Sequence, residues 1–201
     1  MNLHYAPGAC SLAVHIALRE ASLPVELVKV DLASKTADDG RDYLTFNPKG
    51  YVPTLLLDDG QALTEVSILL QYVADQNPEA GLLPIPGTLE RYRALEWIGF
   101  IATEIHKGFG PLWNPATPEP TRHAALDTPA RRFNLVERQL DAAEYLTGSR
   151  FAAPDAYAFT VLNWIGYLKV DLERWPNIRA FLGRVAARPR VREALKAEGL
   201  A

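Results

Sequence analysis

Eleven residues near the middle of the chain limit what it can fold into. The stretch Asn77-Pro78-Glu79-Ala80-Gly81-Leu82-Leu83-Pro84-Ile85-Pro86-Gly87 holds three prolines and two glycines. Proline lacks the N–H that a helix needs and its ring clashes with the preceding turn, so no helix runs through. The chain is therefore expected to fold as two parts, 1–78 and 88–201, with 79–87 as the link. Charge divides at the same place. Residues 1–80 carry 5 basic and 11 acidic side chains, and the rest carry 16 and 13.

Composition narrows the function classes. With 201 residues, 48% of them hydrophobic, the chain can bury its cores without disulfide or metal staples. A net charge of -3 argues against a protein that grips nucleic acid. The single cysteine excludes an intramolecular disulfide framework and fits a reducing compartment. No apolar run is long enough for a membrane span, and MNLHYAPGAC does not read as a secretory signal. The expectation is a soluble, cytoplasmic protein without membrane or nucleic-acid partners.

In the first part Asn2–Tyr5 reads as a short strand, followed by the turn Ala6-Pro7-Gly8-Ala9. Residues 11–20 place Leu12, Ile16 and Arg19 at helical spacing, and VELVKVDL over 25–32 alternates as a strand. Two more strands, at 54–57 and 62–63, flank the hairpin signal Asp58-Asp59-Gly60. Thr64 is expected to cap a helix from about Glu65 to Asp75. A β-α-β unit, a long loop and a β-β-α unit make a small mixed sheet with helices packed on it, a thioredoxin-like arrangement.

The second part reads as an all-α bundle. Thr88 caps a long helix to about Lys107, with Leu95, Ile98, Ala102, Ile105 and Phe109 on one face. Arg91, Arg93, Glu96 and Glu104 point elsewhere. Pro111, Pro115, Pro118 and Pro120 then interrupt the chain, and further helices follow at about 128–146, 154–169, 177–187 and 190–197. The fold class is an α+β thioredoxin-like domain followed by an all-α domain.

Four stretches offer chemistry. Pro7-Gly8-Ala9-Cys10-Ser11 is a turn feeding a helix, whose first N–H groups and dipole favour a thiolate, the chain's own or a ligand's. The plainer reading is a small buried cysteine beside a cap serine. Gly50-Tyr51-Val52-Pro53 precedes a strand, and a cis Val52–Pro53 bond would leave the Val52 N–H and C=O to pair with an extended peptide. The alternative is a strand-entry proline in trans. Leu63-Thr64-Glu65-Val66-Ser67-Ile68 opens a helix suited to a carboxylate, with Glu65 suited to an amine or simply to its own helix dipole. Thr103-Glu104-Ile105-His106-Lys107 ends the long helix, with His106 a donor, a base or a dipole partner. Phe109, Trp113, Trp164 and Tyr167 suit an apolar cleft or a core. His4, His15, His106 and His123 show no ligand spacing, so no metal is expected. Arg184, Arg188, Arg190 and Arg192 read as a solvated face.

Together, YAPGACSLAVHIALREA, VDLASK, DYLTFNPKGYVPTLLLDDG, LTE, QYVAD, ATEIHKGFGPLWNP, FTVLNW and the terminal EGL resemble the bacterial beta-class glutathione S-transferases over essentially the whole chain. The resemblance implies a homodimer with glutathione as co-substrate and no metal. It implies that Cys10 sits close to the glutathione sulfur, with Ser11, Tyr5 and His106 as candidate thiolate donors. Tyr51, Val52 and cis Pro53 would pair with the peptide; Glu65, Val66 and Ser67 would hold the γ-glutamyl end, and Lys35 the glycyl end. Thr103, Glu104 and Lys107 would lie near the site or the partner subunit, and Phe109, Trp113, Trp164 and Tyr167 would line the electrophile site. The implied activity is conjugation of the glutathione thiolate to small hydrophobic electrophiles, a detoxifying reaction. The alternatives are thiol–disulfide exchange or reductive dehalogenation through Cys10, and non-catalytic binding of hydrophobic ligands. Against the family pattern, Val66 stands for glycine, Gly99 for asparagine, and Ala152 for a hydroxyl cap. Val66 adds bulk beside the γ-glutamyl pocket, and Gly99 deletes a side-chain contact.

Overall fold

A computed structural model describes residues 1–167 and 172–201, the side chains of 123 and 126–130 excepted. Two compact units emerge, one from residues 1–84 with 186–201 and one from 85–185.

The first unit is built on a five-stranded sheet in the order β3-β2-β1-β4-β5. Its strands are β1 (Asn2–Tyr5), β2 (Glu26–Asp31), β3 (Thr36–Ala37), β4 (Thr54–Leu56) and β5 (Ala62–Thr64). β1 runs parallel to β2 and antiparallel to β4, with Leu3 opposite both Leu27 and Leu55. The parallel step is made by α1 (Ser11–Glu20), and the β4–β5 hairpin closes at Gly60, whose φ of 85° suits glycine. β3 was not expected, because two residues carry no periodicity. It is held by tertiary pairing instead: the Asp38 N–H donates to the Lys29 carbonyl, and Asp38 Oδ2 accepts from the Lys29 N–H.

Residues 11–18 of α1 are all buried, because the helix packs on β1, on α2 (Val66–Gln76) and on α8 (Pro189–Ala197). Ala13 and Ala17 permit that close approach from several sides. By packing, residues 186–201 group with the sheet-bearing unit. Arg188 makes two bonds to Glu20, at 2.7 and 2.8 Å, so it is no part of a merely solvated face. Thr64 does not cap α2 either. It ends β5, and Glu65 occupies the cap position without a side-chain cap bond.

The second unit is helical. α3 (Leu89–Phe100) starts at Thr88, whose hydroxyl accepts from the Arg91 N–H at 3.3 Å as expected. It continues through a π-helical stretch, Ile101–His106, and a tight turn to α4 (Gly110–Trp113). The buried stripe is Ala94, Ile98, Ile101, Ile105 and Phe109, one residue off the expected line at Leu95 and Ala102. Arg91 is buried rather than turned away.

α5 (Glu119–Ala142) begins well before residue 128, because Pro118 and Pro120 stand at the start of a helix, where a missing N–H is harmless. α6 (Ala153–Tyr167) is buried throughout its first ten residues, and the expected extension to 169 lies outside the described residues. Although Ala152 offers no hydroxyl, fully buried Asp155 accepts from the Ala152 N–H at 2.8 Å and from the Leu146 N–H at 2.9 Å. One half of the capping box thus persists and also pins the preceding turn. α7 (Pro176–Ala186) is the last helix before α8. Among the described residues, no helix is long and apolar enough to cross a membrane.

Candidate active site

The Pro7–Cys10 turn is fixed from several directions. Gly8 takes φ 70°, the Ala9 N–H donates to the Ala6 carbonyl at 3.0 Å, and Cys10 stands at the N-cap of α1. Ser11 is fully buried; its hydroxyl donates to the Ala6 carbonyl at 3.2 Å and accepts from the Ala6 N–H at 3.3 Å. Its proton is thus committed to shaping the turn, not to a ligand thiolate. Tyr5 is buried too, and burial, with the charges of Glu198 and Asp38, pushes its phenol above the usual range. It therefore remains a protonated donor.

The turn is also held by a residue that local reasoning missed. The Gly8 N–H donates to Glu198 Oε2 at 3.0 Å, and Glu198 Oε1 lies 2.9 Å from His15 Nδ1, with both side chains fully buried. Arg19 Nε donates to His15 Nε2 at 3.2 Å, so His15 carries its proton on Nδ1 and donates it to Glu198. The terminal EGL supplies this carboxylate, but nothing in the sequence shows which turn it reaches.

Facing this turn is the peptide-pairing segment. The Val52–Pro53 bond is cis, and the Cys10 thiol donates to the Val52 carbonyl at 3.2 Å. The segment rests on fully buried Tyr43, whose hydroxyl donates to the Tyr51 carbonyl at 2.7 Å and lies 2.7 Å from Thr54 Oγ1. Burial pushes the Tyr43 phenol up, which preserves this donor. Asn47 Nδ2 donates to the same Tyr51 carbonyl at 2.7 Å. Lys35 Nζ donates to the Gly50 carbonyl at 2.9 Å, from a backbone with φ 57°.

Beside it, Glu65 adopts φ 71° and ψ 118°, a conformation that costs a non-glycine residue about 1–3 kcal/mol. Lys49 Nζ lies 2.6 Å from Glu65 Oε1 and donates to Thr64 Oγ1 at 2.9 Å. The Glu65 carbonyl accepts the N–H groups of Ile68 and Leu69. Val66 is 6% exposed and packs into the buried face of α2. Ser67 is half-buried. Gly99 faces open space, and a Cβ there would meet nothing within 4 Å.

The remaining candidates cluster on the π-helical stretch and α6. His106 Nδ1 lies 2.7 Å from the hydroxyl of buried Tyr157, and its ring meets Trp164 edge-on at 5.0 Å. Trp164 in turn contacts Phe109 and Trp113 at 5.7 and 5.6 Å. The structure therefore joins His106, Phe109, Trp113 and Trp164. Phe109 is 2% exposed, however, and acts as core rather than lining, whereas Trp113 and Tyr167 are open. Thr103 donates to the Gly99 carbonyl at 3.0 Å, Glu104 pairs with Arg132 at 2.6 Å, and Lys107 is exposed. Among the described residues, no group of three His, Cys, Asp or Glu side chains is placed to hold a metal.

Residues 8–76 match the glutathione S-transferase N-terminal domain family, and 100–189 match the C-terminal domain family. The chain is 48% identical to glutathione S-transferase GstA of Escherichia coli O157:H7, with both sequences covered in full. A glutathione transferase structure from Methylococcus capsulatus is 57% identical, with TM-score 0.98, covering 100% of this chain and 99% of that one. Two sphingomonad structures are each 45% identical with full coverage of both chains. One, a glutathione S-transferase complexed with glutathione, has TM-score 0.96; the other, from Sphingomonas chungbukensis and described as bacterial beta class, has TM-score 0.97. The chain belongs to the glutathione S-transferase family, on its bacterial beta-class branch.

Proposed function

We propose that the protein is a transferase that adds the thiolate of glutathione to small hydrophobic electrophiles. The observation that carries this reading is the 3.2 Å contact of Cys10 Sγ with the Val52 carbonyl. It brings the N-terminus of α1, where a thiolate is favoured, against backbone that can pair with a tripeptide. Glutathione presents a thiol, two carboxylates, an amine and peptide groups. Val52 pairs with its cysteinyl unit, and Tyr51 and Pro53 frame that strand. Glu65 takes the amine, the first turn of α2 at Val66 and Ser67 takes the adjacent carboxylate, and Lys35 takes the glycyl carboxylate. Thr103, Glu104 and Lys107 belong to the surroundings of the tripeptide in a homodimer.

A free thiol is largely protonated at neutral pH, so the helix dipole at Cys10 and the protonated Tyr5 raise the reactive fraction of the glutathione sulfur. Positioning the thiolate against an apolar electrophile supplies the rest of the rate. His106 donates toward developing negative charge, and exposed Trp113 and Tyr167 provide apolar surface for the acceptor, with buried Trp164 packed behind Trp113. A detoxifying role in the cytoplasm is part of this proposal. The names carried by the relatives at 45–57% identity favour conjugation over disulfide exchange, dehalogenation or passive ligand binding.

The test is a spectrophotometric assay with reduced glutathione and a chlorodinitrobenzene, alongside calorimetric titration of glutathione. Saturable turnover that requires glutathione is expected. Absence of both turnover and binding heat would overturn the reading.

A further inference from the structure

We propose that Lys49 determines specificity for the γ-glutamyl end of glutathione: its ammonium recognises the α-carboxylate while Glu65 takes the neighbouring amine. The inference rests on the function proposed above and deepens it.

The starting point is an ion pair that makes little sense as scaffolding. Lys49 Nζ sits 2.6 Å from Glu65 Oε1, yet the two side chains are 50% and 61% exposed. A pair so open to water contributes little stability. Its acid, moreover, stands on backbone at φ 71°, which a non-glycine residue adopts at a cost. The arrangement holds one cation and one anion side by side at the start of α2, both reachable from solvent.

The end group of a γ-glutamyl peptide is the electrostatic complement of this pair, because one carbon bears both an ammonium and a carboxylate. Binding exchanges a single exposed ion pair for two, with Glu65 on the ammonium and Lys49 on the carboxylate. The first turn of α2 favours the same carboxylate. An end group with only one charge would leave either Lys49 or Glu65 without exchange, and that is the source of discrimination.

Lys49 is also placed by the turn that serves the peptide strand. Its N–H donates to Asn47 Oδ1 at 3.1 Å, while Asn47 Nδ2 donates to the Tyr51 carbonyl at 2.7 Å. The Gly50 N–H closes the turn on the Asn47 carbonyl at 2.9 Å. The cation and the peptide-pairing backbone thus share one support, which fixes the reach from Val52 to the γ-glutamyl end.

The experiment is calorimetric titration of wild type, Lys49→Met and Lys49→Arg with two ligands. One is reduced glutathione; the other is γ-aminobutyryl-cysteinyl-glycine, which keeps the amine but lacks the α-carboxylate. Lys49→Met should weaken glutathione binding about tenfold, a charged contact partly screened by water, and leave the analogue within about twofold. Lys49→Arg should restore most of the loss. In turnover the Met variant should raise KM for glutathione with kcat nearly unchanged. Unchanged glutathione affinity in Lys49→Met, or equal weakening of both ligands, overturns the inference while the transferase reading stands. Failure of the wild type to bind glutathione overturns both.

Discussion

The Cys10–Val52–Glu65 region and the His106 cluster are built on different principles. In the first, the functional groups are mostly main-chain atoms, aimed by buried side chains that no ligand need touch. Glu198 holds the Gly8 N–H, Ser11 holds Ala6, and Tyr43 with Asn47 holds the Tyr51 carbonyl. In the second, the groups are side chains themselves, arranged by ring packing and the His106–Tyr157 hydrogen bond across the π-helical stretch, α4 and α6. Those main-chain groups stay aimed only while the buried side chains hold them, so the first region tolerates little change at Glu198, Ser11, Tyr43 or Asn47. The second can change its exposed ring surface, as at Trp113, without disturbing the buried packing that carries it.

The largest test of that contrast is Glu198→Ala. It strips a fully buried carboxylate from His15 and Gly8, and breaking such a network costs about 3–5 kcal/mol. For a chain of 201 residues this lowers the melting temperature by about 10 °C. Glutathione affinity should fall with it, because the Cys10 turn loses its anchor. A variant melting within a degree or two of wild type would show that the turn holds itself.

Tyr43→Phe is a gentler probe of the same region. The ring and its packing remain, but the Tyr51 carbonyl and the Thr54 hydroxyl lose a partner, at a cost of about 1–2 kcal/mol. The expected signature is a raised KM for glutathione with little change in kcat. Equal effects on both constants would mean that the segment is not simply a ground-state binding strand.

Tyr157→Phe carries the comparison to the other region. It keeps the buried ring but removes the hydroxyl 2.7 Å from His106 Nδ1. We expect kcat/KM to fall about threefold to tenfold, with a shift of the pH profile and an unchanged glutathione affinity. His106→Ala should be measured beside it. A profile that moves in neither variant would remove the histidine from the reaction.

What was legible in the sequence follows the same division. Local signals gave four of the five strands, α1, the Thr88 cap, the hairpin at Asp58-Asp59-Gly60 and the Cys10 turn, since each depends on a few neighbouring residues. Partners distant along the chain were not legible: Glu198 meets Gly8 across 190 positions, and Tyr43 meets the Tyr51 carbonyl only once the loop has folded. The π-helical stretch escaped because a slightly wider turn moves a hydrophobic stripe by a single residue. Thr64 looked like a cap because the left-handed backbone at Glu65 has no signature in a glutamate. The family resemblance supplied the cis bond and the pairing role of Val52, which spacing alone left open.

A last test distinguishes the support of the first region by pH. His4 lies in β1, fully buried between Tyr43 and Phe46, with neither ring nitrogen hydrogen-bonded among the described residues. Burial and the Arg41 charge hold its pKa below the ordinary value of 6.5; Asp39, the nearby Thr54 backbone and Asp38 oppose them less strongly. The native state therefore keeps the imidazole neutral while the unfolded chain takes up a proton as pH falls through about 6.5. Its contribution to stability is complete above that value and is lost as pH drops toward the native pKa, by at most about 1.4 kcal/mol per pH unit. Because His4 packs on Tyr43, loosening there should reach the Tyr51 carbonyl before it reaches the helical unit. Wild type should accordingly lose more stability between pH 7 and pH 5 than His4→Asn, and glutathione binding should weaken over the same interval. Parallel melting curves for the two proteins across that range would instead place the acid sensitivity outside the sheet core.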